Sequence, residues 1–302
     1  MMERFSALPL TLLLVCGISY TAVAKSTDAD LRPLQPSGFH WHSDYGDAWH
    51  QAEQTGKMLL IWFQGETSSS EREDVQHAFA SDVLVREKLP EYVLLRLPAD
   101  ANILSGGETI RLLDHAAFTE MHNHEGLAIV DLSDPTADTF EHVVSAFPFM
   151  RGKYYRFQAR DLPVILDLPQ GFITERTMIW AVRVHPENPA STQGQRNSVL
   201  AAQAKSHSRY QASILLQGHH RWENRFHHIR QLLGDQYTPI EVVAESWPEQ
   251  NMIDSCIDCV ASWRKSSGHW SAVKAQHALY GYDIRRGENG IWYGTGIFAS
   301  YE

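Results

Sequence analysis

Thiols, imidazoles and carboxylates are the side chains here whose spacing could support chemistry. The thiols come as Cys256-x-x-Cys259, and the run that carries them closes on Gly268-His269. A Cys-x-x-Cys at a helix N-terminus has its thiolate stabilised by the helix dipole and can exchange disulfides. Together with a second Cys or His pair at matching spacing, it would instead hold zinc. No such second pair is evident here. Ser246-Trp247-Pro248-Glu249 reads as a capping box with proline in the first turn, so a helix is expected to start there. That start puts the cysteines about ten and thirteen residues past the cap, beyond the reach of the dipole. Ile253, Cys256, Ile257, Val260 and Ala261 recur at helical spacing, Gly268 is read as the stop, and Asp254 and Asp258 add charge that opposes a thiolate. Residues three apart on a helix have Cβ atoms roughly 5–6 Å apart, against about 3.8 Å in a relaxed disulfide. The expectation is a structural pair on a buried stripe. A strained Cys256–Cys259 disulfide is open to it after export, and a redox role comes third.

Imidazoles are abundant: there are 16 histidines, several in close pairs (His40/His42, His122/His124, His219/His220, His227/His228). Such rings serve metal and acid–base chemistry, but most simply fill half-buried positions. No Gly-x-Ser-x-Gly elbow, His-Glu-x-x-His pair or phosphate loop accompanies them.

The 302 residues suffice for two domains, and 26 basic against 36 acidic side chains give a net charge of −10, which argues against a nucleic-acid partner. Residues 1–24 read as a signal peptide: Arg4 precedes the apolar run "LPLTLLLVCGISY", and Ala22-x-Ala24 precedes Lys25. Cleavage there would remove Cys16, leaving Cys256 and Cys259 as the mature thiols in an oxidising compartment, secreted or periplasmic. No later stretch is long enough to span a membrane. Residues 25–37 read as a polar, proline-containing leader.

Two halves must position these groups. In residues 38–150, Asp44 and Gly56 bracket a helix, and "MLLIWF", "YVLLRL", "LAIVDL" and "HVVSAF" read as strands. "REDVQHAFASDVLVREKL" and "GETIRLLDHAAFTEM" read as helices. This order indicates an α/β layered sheet. It resembles the thioredoxin-like superfamily, whose redox pair follows the first central strand. Here that loop is "QGETSSSERED", with Glu66, Ser68, Ser69 and Ser70 and no sulfur, and Glu125-Gly126 stands where the family has a cis-proline. The resemblance therefore implies a thioredoxin-like scaffold without redox chemistry. Its serines can cap the following helix.

Residues 151–171 form an aromatic connector expected to pack along the seam between the halves. From 172 to 302 the landmarks are a helix with Thr174 as N-cap, then Ala204-x-x-His207-Ser208, His219 twelve residues after His207, Ile240-Glu241-Val242, Trp263-Arg264-Lys265-Ser266-Ser267-Gly268-His269, and a final hairpin around a Gly-Glu-Asn-Gly turn. These resemble the bacterial, SCP-like branch of the CAP superfamily, an α/β/α sandwich. The match at Glu241 is loose, because Val242 replaces the family's asparagine. The resemblance implies a cleft of His219, Glu241 and His269, with His220 the alternate to His219 and Glu245 a candidate second carboxylate. Two imidazoles with carboxylate oxygens can hold a divalent ion such as zinc, or poise a water for acid–base work. They can equally hydrogen-bond one another and fix the surrounding loops.

The fold expected is thus α/β, a thioredoxin-like domain followed by an SCP-like domain. The function expected is a non-redox extracellular or periplasmic binding module for an envelope lipid or glycan. The alternative is a hydrolase using His219, His269 and Glu241, with or without metal.

Overall fold

The computed structural model describes residues 38–302 apart from residue 106. The signal-peptide and leader expectations (1–24 and 25–37) lie outside the described residues.

The protein is mixed α/β, with mixed parallel and antiparallel sheets. The first half opens with β1 (Trp41–His42) and α1 (Tyr45–Thr55), which is capped by the Asp44 side chain and stopped by Gly56 at φ 61°. The apolar run becomes β2 (Met58–Gln64). Two short helices follow, α2 (Ser70–Ser81) and α3 (Val83–Lys88), and then β3 (Tyr92–Pro98). A small hairpin, β4 (Asn102–Ser105) and β5 (Glu108–Arg111), leads to β6 (Gly126–Val130) and β7 (Val143–Pro148). The five-stranded sheet runs β1-β3-β2-β6-β7, with β1 and β2 parallel to β3 and the last two strands antiparallel.

Strand alternation sorts the core. Leu59, Ile61 and Phe63 pack with Ala48 and Ala52 of α1, while Leu60 and Trp62 pack with Val75 and Phe79 of α2. One segment departs from expectation: "GETIRLLDHAAFTEM" is β5 followed by two 3-10 stretches, Leu112–Asp114 and Ala116–Met121. Leu112, Leu113, Phe118 and Met121 are buried at spacings that mimic a helical stripe.

The connector contains α4 (Leu162–Leu166) and buries Tyr155, Phe157, Ile165 and Leu168 in a core shared by both halves. Two polar anchors hold it. The Asp254 carboxylate accepts from the backbone N–H of Lys153 (2.9 Å), Tyr154 (2.7 Å) and Tyr155 (2.7 Å). The fully buried Arg176 donates to Ser145 Oγ of β7 and to the carbonyls of Leu168 and Pro169.

The second half contains α5 (Ile173–Arg183), β8 (Gln195–Arg196), α6 (Ser198–Ile214), α7 (Trp222–Leu233), β9 (Tyr237–Glu245), α8 (Met252–Lys265), α9 (Ser267–Lys274), β10 (Leu279–Arg286) and β11 (Trp292–Tyr301). Its sheet runs β8-β10-β11-β9, leaving β9 at an edge. Leu279, Ile297 and Ala299 face Leu200, Ala204 and Ile229 of α6 and α7. On the other face, a Cβ at Gly294 would sit 3.2 Å from Cys259 Sγ of α8 and 3.8 Å from a methyl carbon of Met178 of α5. Gly281 lets α6 lie directly on β10, since a Cβ there would fall 2.3 Å from the Ala201 nitrogen.

Three local expectations are corrected. Thr174 does not cap α5, whose N-cap residue is Phe172; the Thr174 hydroxyl instead donates to the buried Asp283 (2.6 Å). The box at Ser246 does not start α8, whose N-cap is Asn251. Ser246 stays with the sheet, exchanging hydrogen bonds with the Trp292 backbone, and Glu249 takes φ 63°, a break in any helix. Finally, α8 stops at Lys265, so Gly268 and His269 lie inside α9 rather than at a helix stop.

Candidate functional site

Glu241 pairs with Ile297 across β9 and β11, so it faces the side covered by α6 and α7. Its side chain is almost fully buried, and such a carboxylate needs partners. Arg225 of α7 supplies them through both guanidinium nitrogens, one bond of 2.7 Å to Oε1 and a second, shorter one to Oε2. His219, in the α6–α7 loop, places Nδ1 2.9 Å from Oε1. Its Nε2 lies 3.1 Å from His269 Nε2. The result is a continuous chain, Arg225–Glu241–His219–His269, running from a buried ion pair through the exposed His219 ring to the half-buried His269.

Charge sets the proton positions. Burial would raise the Glu241 carboxyl, but hydrogen bonds from His219 and Arg225 bring it below the ordinary value. Glu241 is therefore a carboxylate, and His219 Nδ1–H donates to it. Burial and the neighbouring His219 hold His269 below the usual imidazole value, so it is neutral at pH 7. A His219 ring with its single proton on Nδ1 leaves Nε2 bare to accept from His269 Nε2–H. His207 of α6 backs the cluster. Its Nε2 is 2.9 Å from the Gly218 carbonyl, and burial pushes its pKa down to about 4.

The structure thus brings His219, Glu241 and His269 together and leaves the two alternates out. His220 turns its Nε2 to the Leu216 carbonyl (3.2 Å) and stands beside Tyr210. Glu245 is exposed at the far end of β9, four residues from Glu241 on the same face, roughly 13 Å away along the strand. Val242, where the resembled family has asparagine, is buried on the opposite face.

The donor set does not suit a metal. Both Glu241 oxygens are engaged by a guanidinium, and a cation there would sit against Arg225. Among the described residues no group of three or more His, Cys, Asp or Glu is arranged to hold an ion.

The cysteines are the fifth and eighth residues of α8, closer to its N-terminus than the misplaced cap implied. Both are free and fully buried, so the strained disulfide is not formed in the structure. Burial drives both thiols well above their ordinary values, the opposite of a reactive pair.

In the first half, the loop after β2 is closed by Glu125. Its carboxylate accepts from Gly65 N–H (2.9 Å) and Ser69 Oγ (2.8 Å), and Ser69 caps α2 through Arg72 N–H. Two cavities, of about 310 and 770 Å³, lie at Tyr92 with the connector and between α2 and the connector, and neither borders the histidine cluster.

Arg225 and His207 complete the site, and reading of the sequence did not assign them to it. The one available signal for Arg225 was the rule that a buried glutamate in a strand needs a cation nearby.

These features define a mixed α/β protein with an ion-paired His–Glu cluster at the open edge of its second sheet. No family model, curated protein or solved structure matches the chain.

Proposed function

We propose that the chain is an exported, non-redox binding protein. In this reading a thioredoxin-like domain (38–150) and a connector (151–171) carry an SCP-like domain (172–302), whose cleft takes a polar group of an envelope lipid or glycan. The carrying observation is the Arg225–Glu241–His219–His269 chain, which fixes the exposed His219 ring against the half-buried His269. The sheet order β1-β3-β2-β6-β7 supports the first domain assignment, and helices on both faces of the second sheet support the second. The sulfur-free, Glu125-closed loop supports the absence of redox chemistry.

Ring-proton NMR of the histidines, with added glycan fragments and lipid headgroups, tests the reading. Selective shifts of His219 and His269 are expected; shifts of neither ring by any of these ligands would remove it. Export predicts a mature N-terminus at Lys25, read by N-terminal sequencing of exported protein.

One observation favours a second reading as a hydrolase. Glu241 orients His219 as a carboxylate orients a general base. The hydrogen-bond partners of His219 include no hydroxyl or thiol, so the nucleophile would be water. Release of cleaved product in the same titrations, lost in His219→Gln, would establish this reading over simple binding.

A further inference from the structure

The chain carries a net charge of −10, yet residues 205–230 hold Lys205, Arg209, Arg221, Arg225 and Arg230 against Glu223 alone. Arg225 and Arg230 are ion-paired to Glu241 and Glu302. The outward charge at the α6–α7 corner therefore comes mainly from the exposed Arg209 and Arg221. Where α6 ends, the chain also presents apolar side chains to water: Tyr210 is 37% exposed, Ile214 39%, Leu215 43% and Leu216 56%. Three consecutive exposed aliphatics are costly in water and are not accounted for by the fold.

Arg221, Tyr210, His220 and Leu216 form one surface, with the exposed Arg209 one residue before Tyr210 on α6. The Arg221 guanidinium lies 5.8 Å over the Tyr210 ring, and Tyr210 meets His220 at 5.6 Å. His220 in turn hydrogen-bonds the Leu216 carbonyl. Leu215 takes φ 55° as the C-cap of α6, a conformation that turns the chain sharply at this point. The acids nearby are the exposed Glu223 of α7 and Glu288, in the turn beside Gly287, against which Leu215 packs.

We propose that the Ile214–Leu216 hook and its arginine flanks are a docking site for an anionic lipid surface, into whose interface the hook inserts. Basic side chains draw a protein to anionic headgroups, and aliphatic and tyrosine side chains enter the interfacial layer. An anionic glycan would satisfy the arginines but offers no apolar phase for Leu215 and Leu216. Docking here would hold the His219–His269 cleft at the membrane surface, because His219 follows Leu216 by three residues. The inference deepens the envelope-binding reading but rests on different side chains.

The test is co-sedimentation of the full chain with vesicles of phosphatidylcholine alone or mixed with phosphatidylglycerol, at low and at physiological salt. The readout is the excess partition onto anionic vesicles. Wild type should show such an excess, weakened by salt. Arg209→Glu with Arg221→Glu should reduce it at least about tenfold. Leu216→Asp with Leu215→Asn should reduce it comparably, asparagine being tolerated at positive φ. Unchanged thermal midpoints verify that the variants fold, as expected for exposed positions. Ring shifts of His219 and His269 with soluble headgroups or glycan fragments should persist in the arginine double variant while its vesicle excess falls, so the two proposals fail separately. No anionic excess in wild type, an excess insensitive to both double variants, or capture by soluble anionic polysaccharide in preference to vesicles would overturn the docking site.

Discussion

Each half of the molecule has one glutamate at its centre of interest, and the two are used in opposite ways. Glu125 gives both oxygens to the loop after β2, one to the Gly65 backbone and one to the Ser69 hydroxyl. Its own carboxylate is thereby used up within the loop, and the would-be redox loop becomes a locked turn. Glu241 is also saturated, but by Arg225 and the ring of His219. Its hydrogen bonds continue through the exposed His219 ring to the half-buried His269. A carboxylate satisfied by backbone and hydroxyl builds a scaffold, whereas one satisfied by a cation and an imidazole builds a site.

The largest difference should appear on deleting each glutamate. Glu241→Ala leaves Arg225 largely buried without its anion and should cost about 3–5 kcal/mol in urea denaturation. A cost under about 1 kcal/mol would mean that Arg225 finds another partner and that the ion pair is not the base of the cleft.

Acid should separate the halves next. The folded His207 titrates at about 4, against 6.5 for a free ring. Between those values the unfolded chain binds a proton that the folded one does not. Its contribution is therefore complete above pH 6.5 and is lost as pH falls toward 4, by up to about 3 kcal/mol. Asp283 has the opposite sign. Burial pushes it up to about 6, so its contribution is complete below the ordinary carboxylate value and is lost as pH rises through 6. Stability curves of wild type and His207→Gln should converge as pH drops from 6.5 to 4, and parallel curves would refute the assignment to His207.

Glu125→Ala should have a smaller effect, about 1–2 kcal/mol, from two lost hydrogen bonds at a half-exposed site. Hydrogen exchange of the Gly65 amide should quicken. If it does not, the loop is held by the Arg72 contact to the Gly65 carbonyl rather than by Glu125.

Much of the scaffold was legible because its strands are continuous apolar runs. "MLLIWF", "YVLLRL" and the terminal hairpin fall where the pattern places them. Helix boundaries were less legible. Ser246 has the sequence of a cap, but sheet pairing with Trp292 takes its backbone first, and Asn251 becomes the cap. The 112–121 segment has helical apolar spacing, yet it packs as 3-10 turns under the sheet. His219, Glu241 and His269 were named by motif order, and the structure sets His219 within hydrogen-bond distance of each of the other two. Arg225 was invisible to that reasoning, because only the α7–β9 packing reveals which arginine meets the buried carboxylate. Its presence also turns the chemistry from a metal set into an ion-paired one.

The most direct measurement of that turn is long-range proton–nitrogen NMR of the histidine rings, with and without one equivalent of zinc at pH 7. The account predicts that His219 carries its proton on Nδ1, donated to Glu241, and that zinc moves neither His219 nor His269. A bare Nδ1 on His219, or joint zinc-induced shifts of both rings that disappear in His269→Ala, would contradict it and make the cleft a metal centre.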